Sequence, residues 1–164
     1  MKITLKNKYT LKIDDFKFKC CIGKNGLKKN KIEGDKCTPK GIFKLGTLYY
    51  RKDRVKKPIT SLNIKSIKRN MGWCNDLKSK KYNREITFPS TYSAEKLYLK
   101  KNIYDVFINI KYNYFPTIKG KGSAIFLHLC DKKYNPTKGC IALKKNDFFK
   151  ILPLINKKTK ILIK

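Results

Sequence analysis

The sequence predicts one mainly β domain over residues 1–164, with one or two short helices. Apolar and polar residues alternate with a period of two along the first third of the chain. β-Branched and aromatic residues dominate two segments of the last third, which is typical of buried strands. A chain of 164 residues with 41% hydrophobic residues can bury a sizeable core, and no repeat or linker divides it.

The predicted strands follow from these patterns in chain order. They are expected at residues 9–13, 16–22, 42–50, 103–112, 123–130 and 161–163. A turn is expected at residues 33–41, where Gly34, Pro39 and Gly41 interrupt regular structure. The turn therefore separates the first group of strands from the long strand that follows it.

The other segments are expected to be irregular or to form short helices. Residues 51–90 are expected to be irregular, particularly around residues 72–76, and residues 94–100 to form a short helical turn. Asn146 can cap a helix over residues 147–155. Four apolar side chains of this helix have the spacing of one buried face: Phe148, Phe149, Leu152 and Ile155.

The net charge is +30, because 41 Lys and Arg residues face 11 Asp and Glu residues. Such a charge suggests binding to nucleic acid or another anionic polymer, since these side chains release counterions from phosphates. Only four of them are arginines, which specific recognition favours, and the lysines are spread over the whole chain. We interpret most of the charge as a lysine-rich solvated surface, and a basic nucleic-acid-binding domain is a distant alternative.

Neither a membrane span nor a secretion signal is expected from the sequence. No apolar run approaches the roughly 20 residues that cross a bilayer, and residues 1–15 alternate lysine with apolar residues. The six cysteines include no Cys-x-x-Cys pair. We therefore expect reduced, partly buried thiols, and neither a disulfide framework nor a zinc finger.

The single histidine, His128, is the only candidate for a mechanism that needs an imidazole at neutral pH. By itself it is compatible with an ordinary core histidine. Cys140 lies further along the chain, directly after Gly139 in a turn that contains Thr137. A cysteine beside an imidazole can become a thiolate nucleophile, and glycine lets backbone N–H groups approach an oxyanion. A metal site of His128, Cys130 and Cys140 is an alternative that lacks a clear fourth ligand.

Two motifs in the last third resemble the signature of the L,D-transpeptidase (YkuD-type) catalytic domain. The first is Gly122-Ser-Ala-Ile-Phe-Leu-His128, and the second is Thr137-x-Gly139-Cys140-Ile-Ala-Leu143. Residues 33–43 resemble the strand-turn-strand entry of the same family. Three further segments resemble its stand-alone, single-domain subgroup: 72–76, 82–84 and 104–106. The resemblance thus extends in order over nearly the whole chain.

The resemblance implies a mixed β-sandwich with a cysteine nucleophile and no metal or organic cofactor. Cys140 would attack a peptidoglycan stem peptide at the carbonyl that joins an L-centred residue to a terminal D-amino acid, and His128 would accept its proton. The Leu129 carbonyl would orient the imidazole, and the N–H groups of Gly139 and Cys140 would form the oxyanion hole. The thioester would pass to an amine, giving a cross-link, or to water, as in an L,D-carboxypeptidase acting on muropeptides.

Seven further residues are candidates for lining the substrate cleft: Trp73, Asp76, Asn83, Tyr112, Ser123, Thr137 and Lys138. A structural role in core or turn is an equal alternative for each. Many family members have histidine at the position of Lys138 and arginine or asparagine at that of Ala142, and the interval from His128 to Cys140 is short. We therefore expect the catalytic pair to be kept and the contacts to stem-peptide carboxylates to differ.

The resemblance also implies a bacterial, monomeric protein of cell wall biogenesis in the cell envelope or periplasm. Because no signal peptide is visible, a cytoplasmic enzyme that trims soluble wall fragments is the alternative.

Overall fold

Strands dominate the chain, as the alternation of apolar and polar residues predicts. The structure, a computed structural model, describes residues 2–164; Met1, the first residue of the predicted domain, lies outside them. The strands are β1 (Lys2–Asn7), β2 (Thr10–Ile13), β3 (Phe16–Cys21), β4 (Leu27–Lys28), β5 (Thr38–Pro39), β6 (Gly41–Tyr50), β7 (Ile64–Ser66), β8 (Met71–Cys74), β9 (Glu85–Thr87), β10 (Ala94–Lys96), β11 (Val106–Ile110), β12 (Phe126–Leu129), β13 (Ile141–Leu143) and β14 (Lys160–Ile163). Helix α1 spans Lys145–Ile151, and single 3-10 turns span Asn102–Tyr104 and Leu152–Leu154.

Nine strands form one mixed sheet in the order β11-β12-β13-β3-β2-β1-β14-β6-β7. Strand β6 also pairs with β11, so the sheet curls until it closes on itself. The ten residues of β6 make this closure possible, because residues 41–44 pair with β14 and residues 45–50 pair with β11. The mainly β prediction is confirmed, whereas the expected sandwich is not: the strands of the main layer belong to one curled sheet.

The two faces of β12 contact different apolar clusters. Leu127 and Leu129 belong to the larger cluster, to which β1, β2, β3, β6, β11, β13, β14 and α1 also contribute. Phe126 faces a second, aromatic cluster that includes Trp73 and Tyr104. Since side chains alternate along a strand, His128 lies on the same face as Phe126 and therefore at the aromatic cluster.

A second sheet corrects the prediction for residues 51–90 and 94–100. Strands β10, β8 and β9 form a three-stranded antiparallel sheet in that order. The segment around residues 72–76, expected to be irregular, begins in β8, and residues 94–96 form β10 and not a helical turn. These strands are only three or four residues long, and β8 is buried throughout whereas β10 has no buried residue, so their sequences carry no clear alternation.

The predicted helix is present but begins earlier than expected. Lys144 occupies the N-cap position without a side-chain capping bond, and Asn146 lies inside α1. The capping role of Asn146 is therefore wrong. The apolar face is as predicted, apart from Ile151 joining it: Phe148, Ile151, Leu152 and Ile155 are buried and Phe149 is partly buried. No helix within residues 2–164 has both the length and the apolar character needed to cross a membrane.

Candidate active site

The parallel pairing of β12 with β13 places Cys140 and His128 on one face of the sheet. His128 pairs with Ala142, and Leu127 pairs with Ile141. Cys140, one residue before β13, is thus in register with Phe126. His128 follows Phe126 by two residues, so its side chain points to the same face as that of Cys140. The two residues are offset by roughly 6.6 Å along the strands.

The Cys140 thiol is buried and hydrogen-bonded to backbone. Its Sγ donates to the carbonyl oxygen of Ala124 at 3.1 Å and accepts from the N–H of Phe126 at 3.3 Å. The residue is 7% exposed. Burial raises the pKa of Cys140 to about 12, and the nearby Glu95 carboxylate acts in the same direction. Cys140 therefore rests as a protonated thiol at neutral pH.

The imidazole of His128 is buried in its neutral form. Its Nδ1 lies 2.8 Å from the carbonyl oxygen of Leu129. A carbonyl only accepts, so Nδ1 carries the proton and Nε2 has a free lone pair. Burial lowers the pKa of His128 to about 4, although the hydrogen bond to Leu129 opposes this shift. The resting pair is therefore an uncharged thiol and an uncharged base.

A constrained turn delivers Cys140 to this position. Gly139 has a φ of +141°, and a Cβ there would lie 2.9 Å from the carbonyl oxygen of Cys37. The Thr137 hydroxyl donates to the Cys140 carbonyl at 2.6 Å and accepts from the Gly139 N–H at 3.1 Å. Thr137 thus closes the turn, and the Gly139 N–H, an expected oxyanion donor, is already bonded to it.

Thr38 explains why the 33–41 segment belongs to the site. Its side chain is fully buried, and its hydroxyl donates to the Gly139 carbonyl at 2.8 Å while accepting from the Gly23 N–H at 2.9 Å. The segment therefore supports the turn that precedes Cys140, through the bond from Thr38 to Gly139.

Trp73 belongs to the same cluster as Cys140, and its side chain and that of Asn83 are hydrogen-bonded within the protein. Both are buried, and the Trp73 Nε1 donates to Asn83 Oδ1 at 2.8 Å. The same oxygen accepts from the Ala124 N–H at 3.1 Å, and the Asn83 amide donates to the carbonyls of Tyr112 and Asn113. Asn83 thus fixes the residue whose carbonyl holds the Cys140 thiol.

The other cleft candidates are dispersed around this centre. Asp76 accepts from the N–H groups of Lys78 and Ser93 in a turn, and these bonds, the first above all, lower its pKa. The Tyr112 hydroxyl donates to the Lys121 carbonyl. Ser123 is 8% exposed beside Ala124. Lys138 is exposed near Glu95, whose pKa burial raises against the opposing positive charge of Lys138.

Glu95 and Tyr104 are site residues that no motif or spacing assigned to the site. The Tyr104 hydroxyl donates to Glu95 Oε1 at 2.6 Å, and the Tyr104 ring stands edge-on to the His128 ring with centroids 5.3 Å apart. Residues 104–106 contribute to the family resemblance, but nothing in that motif pairs Tyr104 with a carboxylate. Glu95 lies in a segment expected to be helical, so the pairing of its strand with β8 was not predicted.

Lys31 and Asp35 form a second unpredicted feature. Lys31 is 3% exposed, its ammonium is ion-paired with Asp35, and its methylenes pack on Gly122. Burial raises the pKa of Asp35, but hydrogen bonds from Ile32, Lys31 and Cys37 outweigh it and the net shift is downward. The positive charge of Lys31 also favours the Cys140 thiolate, although burial has the larger effect.

A surface groove of about 310 Å³ lies next to this region without containing the thiol. It is lined by Lys80, Tyr82, Arg84, Phe115, Pro116, Thr117 and Lys119. The Tyr82 hydroxyl links it to the site, because it accepts from the Gly122 N–H at 3.1 Å and donates to Glu33. Three cations and no acid line the groove, so it favours anionic groups.

Comparison with known families agrees with the motifs. A family model for the L,D-transpeptidase catalytic domain (YkuD) matches residues 5–163. The chain belongs to the L,D-transpeptidase catalytic domain family. This family acts on peptidoglycan, which ties the domain to cell-wall chemistry. No curated protein and no solved structure matches the chain.

The cysteines and acids of this L,D-transpeptidase domain form no metal centre in the part of the chain that the structure describes. Across residues 2–164, no group of three or more His, Cys, Asp or Glu side chains could hold a metal ion. All six cysteines are free; five are buried and Cys130 is partly exposed. The metal site of His128, Cys130 and Cys140 therefore has no support in the structure.

Proposed function

We propose that this chain is a cysteine-dependent acyltransferase that cross-links peptidoglycan stem peptides. The observation that carries the proposal is the placement of Cys140 and His128 on one face of β12 and β13, in a domain of the L,D-transpeptidase family. The fixed tautomer of His128 supports it, because its free Nε2 lone pair is what a general base requires.

The first half of the reaction forms a thioester. Sγ of Cys140 attacks the carbonyl carbon between the L-centred residue and the terminal D-amino acid, while Nε2 of His128 takes the thiol proton. The C–N bond then breaks, and the imidazolium returns this proton to the leaving amine. The Leu129 carbonyl keeps Nδ1 protonated and stabilises the transient imidazolium.

Substrate binding has to rearrange the resting hydrogen bonds. The thiol must release the Ala124 carbonyl before it can transfer its proton. The N–H groups of Cys140 and Gly139 are the proposed oxyanion donors, and the latter becomes free when the Thr137 hydroxyl turns away. Proton transfer is thus coupled to attack, because the buried neutral pair does not ionise by itself.

The second half of the reaction decides between transfer and hydrolysis. An amine of a neighbouring stem attacks the thioester, loses a proton to His128 and displaces the Cys140 thiol, which gives a cross-link. Water attacking in its place gives the L,D-carboxypeptidase reaction, which is the alternative function.

Mass spectrometry of a tetrapeptide muropeptide incubated with the protein tests the proposal. Wild type should release terminal D-alanine and form a dimer, and Cys140→Ala should do neither. Cys130→Ala, which removes a partly exposed thiol outside the site, is the matched control and should behave as wild type. Loss of D-alanine without a dimer would assign the hydrolase instead, and no turnover by wild type would overturn the proposal.

A further inference from the structure

The His128 ring has a neighbour that its catalytic partners do not explain. Tyr104, in the 3-10 turn before β11, is 4% exposed and packs against three rings. Its centroid lies 5.3 Å from that of His128 at 89°, 5.3 Å from that of Phe107 and 5.8 Å from that of Phe126. Tyr104 therefore limits the rotation of the imidazole from one side.

Glu95 in turn fixes Tyr104. The Tyr104 hydroxyl donates to Glu95 Oε1 at 2.6 Å, a short hydrogen bond. Glu95 is partly buried on β10, where it pairs with Trp73 of β8. Burial raises the pKa of Glu95, while the Tyr104 hydroxyl and the charge of Lys138 act against this shift. The Glu95 carboxyl group is thus held where water solvates it poorly, with the Tyr104 hydroxyl as a hydrogen-bond partner.

Packing alone does not account for this pair. Phenylalanine at position 104 would fill the same aromatic cluster without a buried hydroxyl that needs a partner. Replacing both partners by apolar groups is commonly neutral for stability, whereas a buried carboxylate is costly. The desolvation of Glu95 has a physical reason if the bond to Glu95 fixes the Tyr104 ring against His128.

We propose that Glu95 and Tyr104 are positioning residues that hold the His128 imidazole with Nε2 directed at Cys140. Leu129 fixes the ring through Nδ1, and Tyr104 fixes its plane, because the χ2 torsion of histidine is otherwise broad. Glu95 prevents Tyr104 from tilting away. The inference rests on the proposed function for its kinetic part and on geometry alone for its spectroscopic part.

The chain offers a matched control for this pair. Tyr49 stacks on Phe107 in the same cluster, and its hydroxyl donates to Glu85 Oε2 at 3.0 Å. Tyr49 is 6% exposed and makes no ring contact with His128 among the described residues. Tyr49→Phe thus removes an equivalent buried tyrosine–glutamate bond without touching the imidazole.

The experiment measures His128 directly by NMR, since a single histidine gives one set of imidazole signals. In wild type the ¹⁵N shifts should report one tautomer with the proton on Nδ1. Tyr104→Phe and Glu95→Ala should give exchange-broadened or mixed-tautomer signals. Glu95→Gln, which keeps an acceptor for the hydroxyl, and Tyr49→Phe should give the wild-type pattern. A wild-type pattern in Tyr104→Phe, or an equal change in Tyr49→Phe, would overturn the inference.

Kinetics with the muropeptide complete the test. Tyr104→Phe and Glu95→Ala should lower kcat roughly tenfold or more with KM nearly unchanged, because misplacing a catalytic group affects the chemical step. Glu95→Gln should retain most of kcat. An unchanged kcat in Tyr104→Phe would also overturn the inference. If wild type does not turn over, the proposed function fails, while the NMR signals still decide whether the pair positions His128.

Discussion

Ala124 accepts the hydrogen bond of the Cys140 thiol at 3.1 Å while adopting a positive φ of 52°. An alanine in this left-handed region is uncommon and costs roughly 1 kcal/mol. The bond from Asn83 to the Ala124 N–H holds this conformation. The Cys140 thiol is therefore held by a strained backbone that the surrounding hydrogen bonds keep in place.

The free protein should alkylate slowly at Cys140. The thiol is 7% exposed and its pKa is raised to about 12, so little thiolate exists at pH 7. Cys130 is the most exposed thiol, and although its pKa is also raised, mainly by burial, it should react with iodoacetamide first. Peptide mapping by mass spectrometry gives the order of labelling, and labelling in urea is the control. Preferential labelling of Cys140 at pH 7 would show that the thiolate is preformed.

Protonation of His128 should destabilise the fold below pH 6.5. Burial lowers the pKa of His128 from 6.5 to about 4, so between these values the unfolded chain binds a proton that the folded chain does not. The free energy of unfolding should fall by about 3 kcal/mol as the pH drops from 7 to 4. Urea unfolding at several pH values measures this slope.

The variant His128→Gln isolates this contribution. Between pH 7 and 4, its free energy of unfolding should fall by about 3 kcal/mol less than that of wild type. Asp35 contributes to both proteins alike: its lowered pKa gives stability that is present above its ordinary pKa and is lost as the pH falls through the folded value. Equal slopes in the two proteins would mean that His128 titrates normally in the folded state.

Asn83→Ala should destabilise the protein by about 3 kcal/mol or more. The change removes four hydrogen bonds, to Trp73, Ala124, Tyr112 and Asn113, and leaves alanine at a φ of 56°. Turnover of the remaining folded protein should fall as well, since Ala124 loses its support. Urea unfolding is the measurement, with exposed Asn135→Ala as a control at a loop. A loss below about 1 kcal/mol would contradict the bonding described.

Gly139→Ala should be far more disruptive than alanine at another glycine of positive φ. At position 139 the new Cβ would meet the Cys37 carbonyl at 2.9 Å and the Ile125 side chain at 3.3 Å. We expect a loss of at least about 3 kcal/mol together with loss of turnover. Gly120 has a φ of +83° and open space around it, so Gly120→Ala should cost only about 1 kcal/mol. Comparable losses would mean that strain alone, and not the Cys37 contact, sets the effect.

The parts of the fold that sequence could predict are those where burial imposes a local period. Strand β2 buries one face and β12 both, so alternating or continuous apolar residues mark them. The sequence could not predict the three-stranded sheet, because its strands are only three or four residues long: Met71–Cys74 is buried at every residue and Ala94–Lys96 at none, so neither shows a period. Closure of the main sheet could not be predicted either, since it depends on pairing between β6 and β11, which lie far apart in the chain.

The candidate site divides in a similar way. His128 is the one histidine of the chain, and Cys140 stands out among six cysteines by its place after Gly139 and by the motif that it shares with the family. Glu95 and Lys31 are ordinary charged residues in the sequence, and only the fold brings them near the thiol. The hydrogen bonds of Trp73 and Asn83 could not be inferred either, since residue type does not distinguish a side chain that lines a cleft from one that is bonded within the protein.

Strand β14 lies between β1 and β6, and therefore the main sheet closes only with the residues that follow all other strands in the chain. During synthesis, Cys140 leaves the ribosome before Lys160–Ile163 can complete the ring. Until then the sheet has unpaired edges at β1 and β6, which β14 alone joins. The order of synthesis therefore makes closure of the ring the last pairing that becomes available to the chain.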